Sequence, residues 1–80
     1  MQLSTTVDYI TNIPTENVLF WCRGRIQKGM ALAVIIDDGA KMVRVQQHGR
    51  IKEIYRDQLV NKHQFNDQFA ELALEVRDAR

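Results

Sequence analysis

Two dipeptides, Asp38-Gly39 and His48-Gly49, constrain this chain more than any other feature in it. Each lies between apolar, β-branched segments and supplies residues that tolerate positive φ, which two-residue hairpin turns require. Met30 to Val60 therefore reads as a three-stranded antiparallel meander. A two-residue loop also fixes register. A turn at Asp38-Gly39 sets Ile36 opposite Lys41, Ile35 opposite Met42, Val34 opposite Val43 and Ala33 opposite Arg44. A turn at His48-Gly49 sets Val43 opposite Ile54, Met42 opposite Tyr55 and Arg44 opposite Glu53. Val34, Val43 and Ile54 then share one face, and Ile35, Met42 and Tyr55 the other. Such a sheet calls for cover on both sides. The Arg44 and Glu53 pairing joins opposite charges across strands, and a one-residue slip would scatter both apolar rows.

The flanking segments suggest the cover. Phe65, Phe69, Leu72 and Val76 recur at helical spacing, with Ala70 and Ala73 raising propensity and Asp67, Glu71, Glu75 and Asp78 on the opposite side. This predicts an amphipathic helix within 61–80, capped by Asn61 or Asn66, with Leu74 left among polar positions. Val18 to Gln27 reads as a strand with a bulge at Gly24, and a helix beginning at Thr15 competes with it. Lys28-Gly29 reads as the turn into the next strand. Thr5-Thr6-Val7-Asp8 has capping-box spacing, which predicts a short helical turn over Val7 to Thr11, ended by Pro14. The expected organisation is one α+β domain: an arm at 1–17, a small SH3-like barrel or strongly bent antiparallel sheet at 18–60, and the helix packed on it.

The net charge of +1 hides a strong division along the chain. Residues 1–17 carry −2, residues 18–63 carry +5 and residues 64–80 carry −2. Positive charge thus concentrates in the strand-rich middle. Eighty residues bury only about 60–65% of their unfolded surface, so burial against a partner or second copy is a natural addition. An apolar content of 45% nevertheless predicts a folded core. The start, Met1-Gln2-Leu3-Ser4, lacks a basic segment leading into an apolar run, and the run Met30 to Ile36 is far shorter than a membrane span. A lone cysteine, Cys22, forms no internal disulfide. The expectation is a soluble cytoplasmic protein, of the size of small bacterial or phage regulators, with no membrane partner.

The run Gly29-Met30-Ala31-Leu32-Ala33-Val34-Ile35-Ile36-Asp37-Asp38-Gly39, then Lys41-Met42-Val43-Arg44-Val45, then Gly49-Arg50-Ile51-Lys52-Glu53-Ile54-Tyr55, and finally Asp57-Gln58-Leu59-Val60 resembles the SH3-like small barrels of the Tudor and KOW type. In that family a strand leaves a glycine, tight hairpins follow, and a short turn precedes the last strand. The resemblance spans about half the chain. It implies a barrel that binds RNA, DNA or protein peptides. A methyl-lysine cage needs several convergent aromatics, and only Trp21 and Tyr55 are candidates here.

Catalytic signatures are lacking in the sequence. Cys22 sits in an apolar run, as an inert buried thiol does, and His48 and His63 fall at a turn and a helix start. Cys22, His48 and His63 do not have zinc spacing, Asp37-Asp38 lacks the spaced oxygens of a calcium loop, and isolated glycines form no phosphate loop. No enzyme, cofactor, metal or small-molecule substrate is expected. Two binding functions remain. Nucleic acid is one: the register sets Lys41 beside Arg56, with Lys52 two positions along, while Arg23, Arg25, Lys28 and Arg50 occupy neighbouring strands or turns and Trp21 or Tyr55 supplies a stacking ring. A protein partner or homodimer is the other, through a sheet edge or apolar groove involving Leu19, Trp21 and Leu74.

Overall fold

A computed structural model describes residues 8–78. Four antiparallel strands, β1 (Tyr9–Cys22), β2 (Arg25–Asp37), β3 (Ala40–Gln47) and β4 (Arg50–Tyr55), form one sheet in the order β1-β2-β3-β4. A 3-10 turn at Arg56–Gln58 leads out of β4, and one helix, α1 (Asn66–Asp78), follows. The chain is an α+β domain.

The turns create this order. Arg23 and Gly24 (φ 56° and 73°), Asp38 and Gly39 (51° and 81°), and His48 and Gly49 (51° and 75°) each place two successive residues at positive φ. That backbone matches the right-handed twist of the strands it joins. The register of β2 with β3 and of β3 with β4 is the one the turns predicted, including Val34–Val43–Ile54 and Ile35–Met42–Tyr55. Arg44 donates from Nε and Nη2 to one oxygen of Glu53, at 3.2 and 3.1 Å.

Five expectations are corrected. Tyr9 to Thr11 belong to β1, whereas a helical turn was expected over Val7 to Thr11; Val7 and the Thr5-Thr6 part of its capping box lie outside the described residues. β1 pairs through Tyr9–Ile36 to Asn12–Ala33, breaks register between Asn12 and Glu16, and resumes. Pro14 sits in that break, where its missing N–H costs no ladder bond. The expected single strand Val18 to Gln27 is two strands, because Arg23-Gly24 is a turn and not a bulge. The helix competing from Thr15 is likewise strand. Lys28-Gly29 is strand interior rather than turn: Gly29 pairs with Val18, and a Cβ there would stand 3.2 Å from both the Phe20 ring and the Gln46 carbonyl. Neither Asn61 nor Asn66 caps the helix. Asn61 Oδ1 accepts from the His63 amide at 3.1 Å, Phe65 turns the chain with φ 70°, and Asn66 is already the first helical residue.

One face of the sheet carries the core. Val18, Phe20, Ala31, Val34, Ile36, Val43, Val45 and Ile54 pack with Leu59 and with Phe65, Phe69 and Leu72 from the helical segment. The acidic positions of α1 face outward, and Leu74 is exposed as its spacing implied. Leu32 interrupts the β2–β3 register, so that Ala31 faces the core while Ala33, two residues on, faces away. This bulge lies level with the break in β1 and bends the sheet around the helix. Beyond the 3-10 turn, Leu59 bridges to Phe20, and the Val60 amide donates to the Leu19 carbonyl at 3.0 Å on the outer edge of β1. On the opposite face Ala33 and Ile35 are buried apart from this cluster, while Ile10, Leu19, Trp21, Ile26, Met30, Ile51 and Tyr55 are exposed.

Candidate nucleic-acid interface

An up-and-down meander sends alternate turns to opposite ends, so the turns at Arg23-Gly24 and His48-Gly49 share one end and the turn at Asp38-Gly39 lies at the other. This separates charge. At the first end, Cys22, Arg23, Gln27, Gln47, His48, Arg50 and Lys52 line an open cleft of about 550 Å³. None of these seven is a carboxylate. Arg25, paired with Cys22, adds a further cation beside them.

The floor of the cleft is ordered by amides. Gln47 Nε2 donates to Gln27 Oε1 at 2.8 Å and to the Lys28 carbonyl at 3.3 Å, and Gln27 Nε2 donates to the Cys22 carbonyl at 3.3 Å. Lys52 leans across from β4, its Nζ 3.8 Å from Cys22 Sγ and 5.1 Å from the centre of the Phe20 ring. The ammonium thus stands over the face of the ring as a cation–π contact while lining the cleft. Arg23, His48 and Arg50 are exposed on turns or strand ends, and the two guanidinium heads are available to an anion.

The opposite end is mixed in sign. Lys41, Tyr55, Arg56, Asp57 and Gln58 share a second cleft with Gly39 and Ala40. Lys41 and Arg56 do meet there, as the register implied. Lys52 does not join them: it pairs with Val45, four residues along β3 from Lys41, or roughly 13 Å of strand. Arg56 is engaged structurally, its Nε donating to the Lys62 carbonyl at 3.0 Å. Asp8 accepts from the Asp38 amide at 2.8 Å, and together with Asp37 and Asp57 it offsets the cations at this end.

The remaining candidates lie elsewhere. Lys28 pairs with Leu19, and Trp21 with Ile26, on the face turned away from the helix. Tyr55 shares that face at its far end, opposite Met42. Leu19 and Trp21 are both half exposed and neighbours, whereas Leu74 lies on α1 across the sheet. Sequence reasoning missed Gln27, Gln47 and His48 as cleft residues. The signal was the Arg23-Gly24 turn, which brings Gln27 and Gln47 to the same end.

No protein-family model, curated protein or solved structure matches the chain. Among the described residues no cluster of three or more His, Cys, Asp or Glu stands ready to hold a metal ion, and no helix is long and apolar enough to cross a membrane.

Proposed function

We propose that the chain is a non-enzymatic binding module that engages the phosphate backbone of nucleic acid at the Arg23, Arg25, Arg50 and Lys52 end of the sheet. The observation that carries this reading is a cleft lined by Arg23, Arg50, Lys52 and His48 with no carboxylate among its lining residues. Cations held together by two hairpins keep their spacing when a polyanion arrives, so little side-chain order is lost on binding. Gln27 and Gln47, joined to each other and to backbone carbonyls, form a neutral floor beside them. The Phe20–Leu59 bridge and the reach of Lys52 from β4 to β1 support the finer reading of the sheet as an SH3-like barrel.

A small footprint of three or four phosphate contacts gives modest, steeply salt-dependent affinity. The logarithm of the binding constant should fall against log salt with a slope of roughly −3 for duplex DNA. Titrating a labelled oligonucleotide at several salt concentrations measures it. Combined substitution of Arg23 and Arg50 by glutamine should abolish most binding, while Lys41→Gln should leave it nearly intact. No binding at low salt, or equal loss from Lys41→Gln, would overturn the proposal.

A further inference from the structure

Gln58 holds together two residues that the strand register sets far apart. Its Oε1 accepts from the Tyr55 amide and its Nε2 donates to the Trp21 carbonyl, each at 3.0 Å. One carboxamide therefore spans the gap between the outer edge of β4 and the outer edge of β1. Phe20 and Ile54, the residues just before these two, are buried, so the pleat turns both Trp21 and Tyr55 outward. Each ring is about half exposed. Two aromatic side chains thus share one stretch of outer surface, on backbone held by a neighbouring strand on one side and by Gln58 on the other.

We infer that the chain takes single-stranded nucleic acid in preference to duplex, with unpaired bases stacking on Trp21 and Tyr55 while the phosphates lie along the Arg23, Arg25, Arg50 and Lys52 end. The inference rests on the nucleic-acid reading of the basic cleft and names the form of polymer that cleft takes. Continuity of ring and cation carries it. Trp21 directly precedes Cys22 and Arg23, which line the cleft, and its pairing partner Ile26 directly follows Arg25. Lys28, exposed on the same face as the indole, pairs with Leu19 two residues away. None of these cations is spent on a carboxylate, since the ion pair among the described residues joins Arg44 to Glu53.

A duplex has no use for such rings. It hides the faces of its bases in the stack and offers a protein only phosphates and groove edges, which a helix or ribbon must enter a groove to read. An unpaired base offers a π-face to any aromatic side chain, whatever the base. Rings set beside unpaired cations therefore select a polyanion with flat side groups over a neutral peptide. Beyond Tyr55 the charge changes: Arg56 donates to the Lys62 carbonyl, and Asp57 shares the next cleft with Lys41. The strand should leave the protein there, after about two stacked bases.

The chain has one tryptophan, so its emission reports on Trp21 alone. An oligothymidylate of about eight nucleotides should quench that emission on binding. An abasic oligomer with the same number of phosphates should bind about tenfold or more weakly and leave the emission nearly unchanged. A blunt duplex of equal length should bind without quenching, and the advantage of the single strand over it should widen as salt rises, because salt screens phosphate contacts and spares stacking. Measured by anisotropy of a labelled strand, Trp21→Leu and Tyr55→Leu should each weaken oligothymidylate binding about fivefold or more, with abasic binding and the circular dichroism spectrum unchanged. Trp21→Phe, which keeps a ring, should retain most of the affinity. Bound oligothymidylate with unchanged Trp21 emission, or equal affinity for the oligothymidylate and the abasic oligomer, would overturn the inference and leave the phosphate reading standing. Failure of all three probes to bind at low salt would overturn both.

Discussion

Lys52 and Phe20 belong to strands at opposite edges of the sheet, yet the Lys52 ammonium stands 5.1 Å from the centre of the Phe20 ring. A flat four-stranded sheet would hold its outer strands about 14 Å apart, so this contact measures how far the sheet curls around its core. It also gives Lys52 two roles that substitution can separate. Lys52→Met keeps an apolar side chain of similar length beside the ring and removes the charge. Stability to urea should stay within about 0.5 kcal/mol of the parent, while oligonucleotide affinity falls and the salt slope shrinks by roughly 1. Lys52→Ala should lose affinity equally and about 1 kcal/mol of stability in addition.

Arg23 makes the opposite separation. Its φ of 56° lies in the left-handed region, where a long side chain is strained and asparagine is tolerated. Arg23→Asn should therefore raise the unfolding free energy by about 0.5 kcal/mol while weakening oligonucleotide binding. Thermal melts and a salt titration of the same variant check both signs. A variant less stable than the parent would show that the arginine stabilises the turn in some other way.

Gly29 matters for lack of a side chain rather than for an unusual backbone. A methyl group there meets the Gln46 carbonyl of β3 and the fully buried Phe20 ring, each at 3.2 Å. Neither neighbour yields easily, since one is strand backbone and the other fills the core. Gly29→Ala should cost about 1–2 kcal/mol, outweighing the loss of unfolded-chain entropy that ordinarily favours alanine. Denaturant unfolding measures it directly.

The same glycine shows where the sequence could be read and where it could not. Asp38-Gly39 and His48-Gly49 announce their turns because aspartate, histidine and glycine accept positive φ, and the register of three strands followed from them. Arg23-Gly24 does the same job, but arginine is not a turn former and its flanking apolar run conceals the break. Once that turn was missed, Gly29 looked like the missing corner. Pro14 misled for a related reason: it ends helices, but it also suits an interrupted edge strand. The Phe65 to Val76 spacing was unambiguous, since a period near 3.6 is unlike anything a strand produces. The charge division along the chain pointed to a basic region, yet not to its split between the two ends. That split depends on all three turns, and Lys41 and Arg56 were grouped with the wrong cations.

Arg44 and Glu53 supply the last test, because their contact is a fork onto a single oxygen between partly exposed side chains, 31% and 21% accessible. Such a pair contributes less than a two-oxygen fork and is open to screening by salt. A double-mutant cycle with Arg44→Ala and Glu53→Ala should give a coupling of about 0.5 kcal/mol at low salt, falling by half or more at molar salt. Register, by contrast, rests on the turns and on Val43 packed against Ile54, so the double variant should keep the parent's cooperative unfolding transition. A coupling several times larger would mean that the pair is shielded from water in solution.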